Sequence, residues 1–293
     1  MIDYHIGVDG GGSGTRVRLS RADGSELAQG QNGPSGLAHG IDQAWVAVGN
    51  AVLKAFSAAG IAHPPLRHCA IGLGLAGVHN CQWATKFLEK NPGYAAIALE
   101  SDALTTLLGA HQGQPGAVVA IGTGSVGEVL DARGERREVG GWGFPSGDEA
   151  GGAWIGMRAV GHAQQVADGR AAASAFASTV LDACGGHRDA FQGWLAAANQ
   201  TAYAQLARLV LEHAADDPTA RAILAEAGAQ VALIAAALDP SGQLPVALCG
   251  GLAEPLRAYL PEGLLARVVP AHGDSAAGAL RLIRQHLREH PPC

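Results

Sequence analysis

Apolar and polar positions fall into short blocks along this chain, and each block predicts an element. Ile6–Val8 is an apolar run that reads as a strand, and after a glycine stretch Thr15-Arg-Val-Arg-Leu19 alternates with the period of a half-buried strand. Asp23-Gly24 is a hairpin signal ahead of a further strand at Glu26–Ala28. Trp45, Val48, Val52 and Phe56 recur at helical spacing and predict an amphipathic helix from Asp42 to Ala59, with an Asp start and Gly60 as its stop. Strand follows at His68–Leu73, helix at Asn80–Lys90, strand at Ala95–Leu99, and helix from Asp102 to about Gln112, ending at Gly113.

The opening pattern then recurs. Ala117 to Leu130 reads as strand, glycine turn, strand, with Arg133-Gly134 in the hairpin position that Asp23-Gly24 held before. An internal repeat of this kind sets the architecture: two strand–glycine turn–strand units, each heading one half, predict a duplicated α/β fold with a cleft between the halves. The boundary falls at Gly113-Gln-Pro-Gly116. Beyond it the chain is mostly helical from Ala150 to Leu238. Strand returns at Leu244–Cys249 and Arg267–Pro270, and Asp274 caps a last helix running to about Glu289. Ala276, Ala277 and Gly278 keep one face of that helix thin, as a close crossing requires. The expected domains are 1–115 and 116–279, the second with a helical insertion, and a final helix at about 280–293 that packs back on the first.

Composition narrows the function classes. With 48% apolar residues in 293, a sizeable core is affordable; 42 glycines against 5% aromatics predict close packing and many turns. A net charge of -6 with pI near 6.0 argues against a nucleic-acid or anionic-membrane partner, since both call for basic patches. Cys69, Cys81, Cys184, Cys249 and Cys293 are scattered, which suits reduced thiols in a cytoplasm. No basic n-region opens the chain, so no signal peptide is expected, and apolar runs such as Val231–Leu238 read as too short to span a bilayer. The twelve histidines show no zinc-type spacing. Trp83, Trp154, Ile155, Met157 and Trp194 read as helix core.

The chemistry centres on Gly10–Gly14. A Walker loop needs a Gly-Lys-Ser/Thr opening a helix, and no lysine stands here; a Rossmann fingerprint also needs a following helix, where Thr15–Leu19 is a strand. What remains is a hairpin whose backbone N–H groups and hydroxyls (Ser13, Thr15) form an anion nest, or else a plain tight hairpin. Gly122-Thr-Gly-Ser125 offers a second such turn. Two turns facing one cleft would clamp a polyphosphate, and Asp9 would then be placed to hold Mg²⁺, directly or through water.

The motifs resemble the sugar-kinase/Hsp70/actin superfamily and, within it, the N-acetylglucosamine and glucosamine kinases of the BadF/BadG/BcrA/BcrD ATPase family. Gly7-Val-Asp-Gly-Gly-Gly-Ser-Gly-Thr15 is similar to its first phosphate motif, Ile121-Gly-Thr-Gly-Ser125 to the second, Leu248-Cys-Gly-Gly-Leu252 to the adenosine motif and Gly273-Asp-Ser-Ala-Ala-Gly-Ala279 to the final helix motif. The resemblance implies duplicated ribonuclease-H-like (actin-like ATPase) domains and ATP with Mg²⁺. Gly11, Gly12, Ser13 and Thr15, together with Gly122, Thr123, Gly124 and Ser125, would hold the phosphates, with Gly250 and Gly251 at the adenosine. Asp102, in Glu100-Ser-Asp102, would be the base that takes the proton of the sugar 6-hydroxyl; an Asp at a helix start is equally an ordinary N-cap. Gly140-Gly-Trp-Gly-Phe-Pro-Ser-Gly-Asp148 resembles the family's sugar loop, which makes Gly141, Trp142, Gly143 and Asp148 candidate sugar contacts, against the alternative of a glycine-rich surface loop. Asn32 aligns with a sugar-binding Asn, and Asn-Gly-Pro34 is also plain turn chemistry.

There are departures. Ala76, in Gly74-Leu-Ala-Gly77, stands where some relatives place a sugar-contacting serine, which leaves N-acetylglucosamine and glucosamine both open. A rival reading is a BadF/BadG-type ATPase that activates a partner enzyme through paired, cluster-binding cysteines; the scattered cysteines speak against it. A sugar-sensing regulator would want a DNA-binding extension ahead of the first strand and, in its ROK relatives, a cysteine-rich motif. The partner expected is a small amino sugar, and a homodimer is one assembly open to the chain.

Overall fold

The computed structural model describes residues 2–290; Cys293 and the part of the expected last helix past residue 290 lie outside them. The chain divides into two compact units. One holds the residues up to Pro115 and those from Pro270 on, the other Gly116–Val269.

In the first unit β1 (Tyr4–Gly10), β2 (Thr15–Arg21) and β3 (Glu26–Asn32) form an antiparallel meander. The strands are longer than the apolar runs alone indicate, because pairing carries β1 and β2 through to Gly10 opposite Thr15. Asn32 therefore closes a strand, opposite Thr15, and does not sit in a turn. Helix α1 (Ile41–Ala58) buries Val48, Val52 and Phe56 on the sheet, while Trp45 stacks on Phe87 at 4.1 Å. Its N-cap is Gly40, with Asp42 inside the first turn. Then come β4 (Cys69–Leu75), α2 (Cys81–Glu89), β5 (Ala96–Glu100) and α3 (Asp102–Ala110). Strands β4 and β5 run parallel to β1, giving the order β3-β2-β1-β4-β5.

The second unit repeats that plan. β6 (Gly116–Ile121), β7 (Ser125–Leu130) and β8 (Arg136–Gly140) are antiparallel. The helices α4 (Gly152–Ala167), α5 (Ala175–Ala183), α6 (Arg188–Ala197), α7 (Gln200–Gln205), α8 (Ala207–His213) and α9 (Pro218–Leu238) follow. β9 (Val246–Cys249), α10 (Ala253–Leu256), α11 (Glu262–Leu265) and β10 (Val268–Val269) complete it. The order β10-β9-β6-β7-β8, with β9 and β10 parallel to β6, is the first sheet's order again. Two such sheets make a duplicated ribonuclease-H-like fold of the actin-like type.

Helix α9 corrects the view that every apolar run is short. At 21 residues it is long and apolar enough to cross a bilayer by length and composition, yet Ile223, Leu224, Ala227, Val231, Ala235 and Leu238 are buried in this unit's core with Trp154, Ile155 and Phe176. Its apolar character is that of a core helix.

The chain then returns to the first unit as α12 (Ser275–Glu289), with Asp274 as N-cap accepting from the Ala277 N–H at 2.9 Å. Its thin face is Ala276, Gly278 and Ala279, all buried, whereas Ala277 is only half-buried. A side chain at Gly278 would run into the Thr105 carbonyl of α3, so α3 and α12 touch backbone to backbone.

Candidate active site

In the first unit the parallel strands β1, β4 and β5 end on one edge: Asp9 lies opposite Gly74, and Gly74 opposite Glu100. Open α/β sheets bind ligands beyond such carboxyl ends. The loops that leave this edge are tied together through their backbones. The turn after β1 closes on itself by Gly11 N–H to Gly14 O (3.0 Å), and Gly11 O accepts from the N–H groups of Ser35 (3.2 Å) and Gly36 (3.1 Å). Ala76 N–H donates to Gly10 O (2.9 Å), and Leu37 N–H to Ala76 O (2.9 Å). Gly11, Gly12 and Ser13 thus lie in one loop cluster, with Asp9, Thr15 and Asn32 at the strand ends beside it and Asp102 opening α3 just past the end of β5.

Within the turn, Gly12 and Ser13 are exposed, while Thr15 is buried. The Thr15 hydroxyl points its one proton at two acceptors of the same loop, Gly33 O at 2.6 Å and Ser35 Oγ at 2.7 Å, which share or alternate in receiving it. This corrects its expected part as an anion donor: the hydroxyl's single proton is already committed to the loop after β3. Asn32 Nδ2 donates to Ala47 O of α1 at 3.3 Å.

Asp102 is the first residue of α3, but the N-cap is Ser101, whose Oγ accepts the Leu104 N–H at 3.1 Å. Asp102 Oδ1 accepts its neighbour Ala103's N–H at 3.1 Å. The capping explanation for this acid therefore passes to Ser101. Asp9 is half-buried, and burial pushes its pKa up to about 6. A Ser275 hydrogen bond and Arg16, its partner across β1–β2, pull it down, while Asp102 and Asp274 push it up. Three carboxylates therefore feel one another here. One of them, Asp274, is balanced by Arg18, which donates from Nε (2.8 Å) and Nη2 (3.0 Å) to its two oxygens. Among the described residues no group of three or more His, Cys, Asp or Glu forms a ready-made metal cage.

The second unit builds its turn differently. Gly122 N–H donates to Gly124 O (2.8 Å), and the carbonyls of Gly122 and Thr123 accept from Gly152 (2.8 Å) and Ala153 (2.9 Å) at the start of α4. Thr123 is exposed; Ser125 is buried and its Oγ donates to Glu149 O at 2.5 Å, so this hydroxyl too is committed, here to the Gly140–Gly151 loop. Asp148 is 7% exposed, with Oδ1 accepting the Gly143 N–H (3.1 Å) and Oδ2 accepting from Gln200 Nε2 (2.9 Å). Burial raises its pKa; those two donors oppose the rise. Asp148 adopts φ 60°, as Gly141 and Gly143 adopt φ 67° and 89°, a left-handed backbone that concentrates at built sites. Trp142 is 87% exposed and forms no wall within this unit. Gly250 takes φ 92° against the Ile121 carbonyl, which leaves Gly251 as the open member of that pair.

With two glycine turns on two like sheets established, comparison with known proteins gives the lineage. The sequence profile of the BadF/BadG/BcrA/BcrD ATPase family matches residues 6–272. The chain belongs to that family. A Chromobacterium violaceum protein of solved structure, whose N-acetylglucosamine kinase assignment is provisional, is 52% identical with a TM-score of 0.94, over 96% of this chain and 99% of that one. The glucosamine kinase of Vibrio cholerae is 28% identical over 280 residues, 95% of each chain. A ROK-family glucokinase from Streptomyces griseus, solved with glucose and AMPPNP, shares the fold at 20% identity and TM-score 0.57, over 96% of this chain and 99% of that one.

In this BadF/BadG-family chain three site neighbours escape sequence reasoning. Asp274 and Ser275 read only as a helix start, although the quoted Gly273–Ala279 motif contained them. Gln200 had no signal at all: it lies 52 residues from its partner Asp148. As a member of this ATPase family the protein uses ATP.

Proposed function

We propose that this protein is an ATP-dependent hexosamine kinase that phosphorylates the 6-hydroxyl of N-acetylglucosamine or glucosamine. The observation that carries the reading is the duplicated glycine turn, backed in one unit by Asp9 and Asp102 and in the other by the Asp148 loop. Gly11 and Gly122 close the two turns, and exposed Ser13 and Thr123, with the N–H groups of Gly12 and Gly124, bind the phosphates of ATP, while Gly251 lies at the adenosine. Asp102 accepts the proton of the attacking hydroxyl. Asn32 and the Gly141-Trp-Gly143 loop hold the sugar, with Asp148 keeping that loop in shape and offering its remaining lone pairs to a hydroxyl.

Mg²⁺ fits beside Asp9. A carboxylate whose ionisation is opposed by burial and by two further acids gains from a divalent cation, and hard cations bound to phosphates take one or two carboxylates plus water rather than a full protein cage. When bound, the ion would supply charge neutralisation on the phosphates. Asp9 would hold it directly or through water, and Arg16 and Ser275 would orient that carboxylate. The rest of the catalysis is positioning. Such a kinase works in the cytoplasm, where the reduced thiols of Cys69, Cys81, Cys184 and Cys249 are at home.

A coupled ADP-release assay across glucose, glucosamine, N-acetylglucosamine and N-acetylmannosamine tests the reading. Turnover is expected with an amino sugar. No turnover with any of the four, together with iron and visible absorbance in the purified protein, would replace it by the activator reading.

A further inference from the structure

The first unit has a pocket that the proposed reaction does not use. It measures about 450 Å³ and lies where α12 meets the C-terminal end of α3, lined by Arg281, Arg284, Arg288, His272, Gln112 and Glu26 among others. Asp9, the Gly11–Ser13 turn and Asp102 do not line it. The three arginines are three and four residues apart, so they form one stripe along α12. Glu26 is the only acid in the lining, and it is bound to Arg18 at 2.9 Å. In a chain of net charge -6, this is a local excess of positive charge.

The ordinary explanation of basic residues on a helix is the dipole or a solvated face. The dipole acts on the last turn, which accounts for His286 and Arg288 but not for Arg281 and Arg284 in the middle of α12. Solvation does not account for Arg284 either. Its Nη2 donates to Ser20 Oγ (2.8 Å), but its Nε–H is buried with no acceptor. Burial lowers its pKa, and the neighbouring Arg281 charge adds to that. The Arg281 stem rests on Gly113, which holds it beside the pocket. Among the described residues neither Arg281 nor Arg288 has an ion-pair partner, so three arginines line one pocket whose single acid is already paired with Arg18.

We infer that this pocket is an anion site for a small phosphate-bearing molecule, distinct from the ATP turns. Guanidiniums in a row match the oxygens of a phosphate better than any other common anion-binding group, through paired N–H donors in a planar fork. The pocket's volume lies in the range of small-ligand sites. Gln112 and His272 in its lining stand close to Pro115 and Pro270, where the chain leaves and re-enters this unit, a placement that suits an effector rather than a substrate.

The test is calorimetric titration of inorganic pyrophosphate at low ionic strength, with Mg·AMPPNP saturating, into wild type, R281A/R288A and R288E. Wild type should bind one equivalent, and R281A/R288A should weaken it about tenfold or more, as loss of two charge-assisted pairs predicts. R288E, a single change at the exposed end of α12, should weaken it in the same direction and covers the case in which the double variant does not fold. Repeating the wild-type titration with glucosamine 6-phosphate separates an organic ester from a free polyphosphate as the ligand. Wild type that binds no pyrophosphate, or variants that fold and bind it as wild type does, would overturn the inference; neither outcome touches the kinase assay.

Discussion

The two glycine turns sit at equivalent places, each joining the first two strands of a sheet with the same strand order. Both close by a hydrogen bond within the turn, and both bury the hydroxyl that begins the next strand, Thr15 in one and Ser125 in the other. They differ in what lies behind them. One position before the paired Gly10–Thr15 stands Asp9, facing Arg16; the equivalent place in the second sheet, before Ile121–Ser125, holds Ala120, facing Val126. The first turn thus has its acid, Asp9, in the strand that leads into it, with Asp102 and Asp274 nearby; the second rests on the first residues of a 16-residue helix and on the Asp148 carboxylate of a left-handed loop. The two copies share the scaffold and the exposed donors but carry their acids on different elements, a strand in one and a loop in the other.

This asymmetry has measurable consequences. Asp102→Asn should lower kcat about 10²–10⁴-fold, the usual worth of a positioned base, while calorimetric sugar affinity stays within a few fold; near-normal kcat would remove Asp102 from that role. Alanine at Gly124 should separate the turns next. Its Cβ would run into the Asp148 carboxylate, which Gly143 and Gln200 hold in place, so a loss of about 1–3 kcal/mol is expected in denaturant unfolding. Gly12→Ala has only the His39 ring nearby, at 3.8 Å, and should leave stability unchanged while raising the KM for ATP.

The buried hydroxyls give a finer separation. Thr15→Val strands the Gly33 carbonyl and should cost about 1–3 kcal/mol, with little change in the KM for ATP; Ser13→Ala and Thr123→Ala should do the reverse. A rise in KM without loss of stability in Thr15→Val would return that hydroxyl to the phosphate. The smallest effect concerns Asp9. Its pKa of about 6 lies above the ordinary carboxylate range, so the folded state holds the proton more tightly than the unfolded chain does. Stability without metal or nucleotide should therefore fall as pH rises from about 4 to 6. Asp9→Asn should remove that fall and, at pH 8, raise the melting temperature by about 2–4 °C, the shift expected for one modest charge.

Much of this was legible along the chain because it is local. Alternation located β2, the 3.6-residue recurrence of Val48, Val52 and Phe56 located α1, and Asp274 marked the start of α12 three residues ahead of the N–H it accepts. The repeat itself, strand–glycine turn–strand, was readable because it is written twice. The sequence alone therefore determined the fold class and the two turns. Only the tertiary structure decided which polar groups are spent. Thr15 and Ser125 looked like phosphate donors until their partners, Gly33 O and Glu149 O, came from loops 18 and 24 residues away. Ser101, not Asp102, caps α3, a choice between adjacent residues that backbone geometry makes. The last helix joins the first unit because Gly278 admits the Thr105 backbone, and Gln200 finds Asp148 from another helix. Periodicity records which face of an element is buried, since burial repeats with the backbone. A hydrogen-bond partner far along the chain leaves no such period, and so it appears only when the chain is folded.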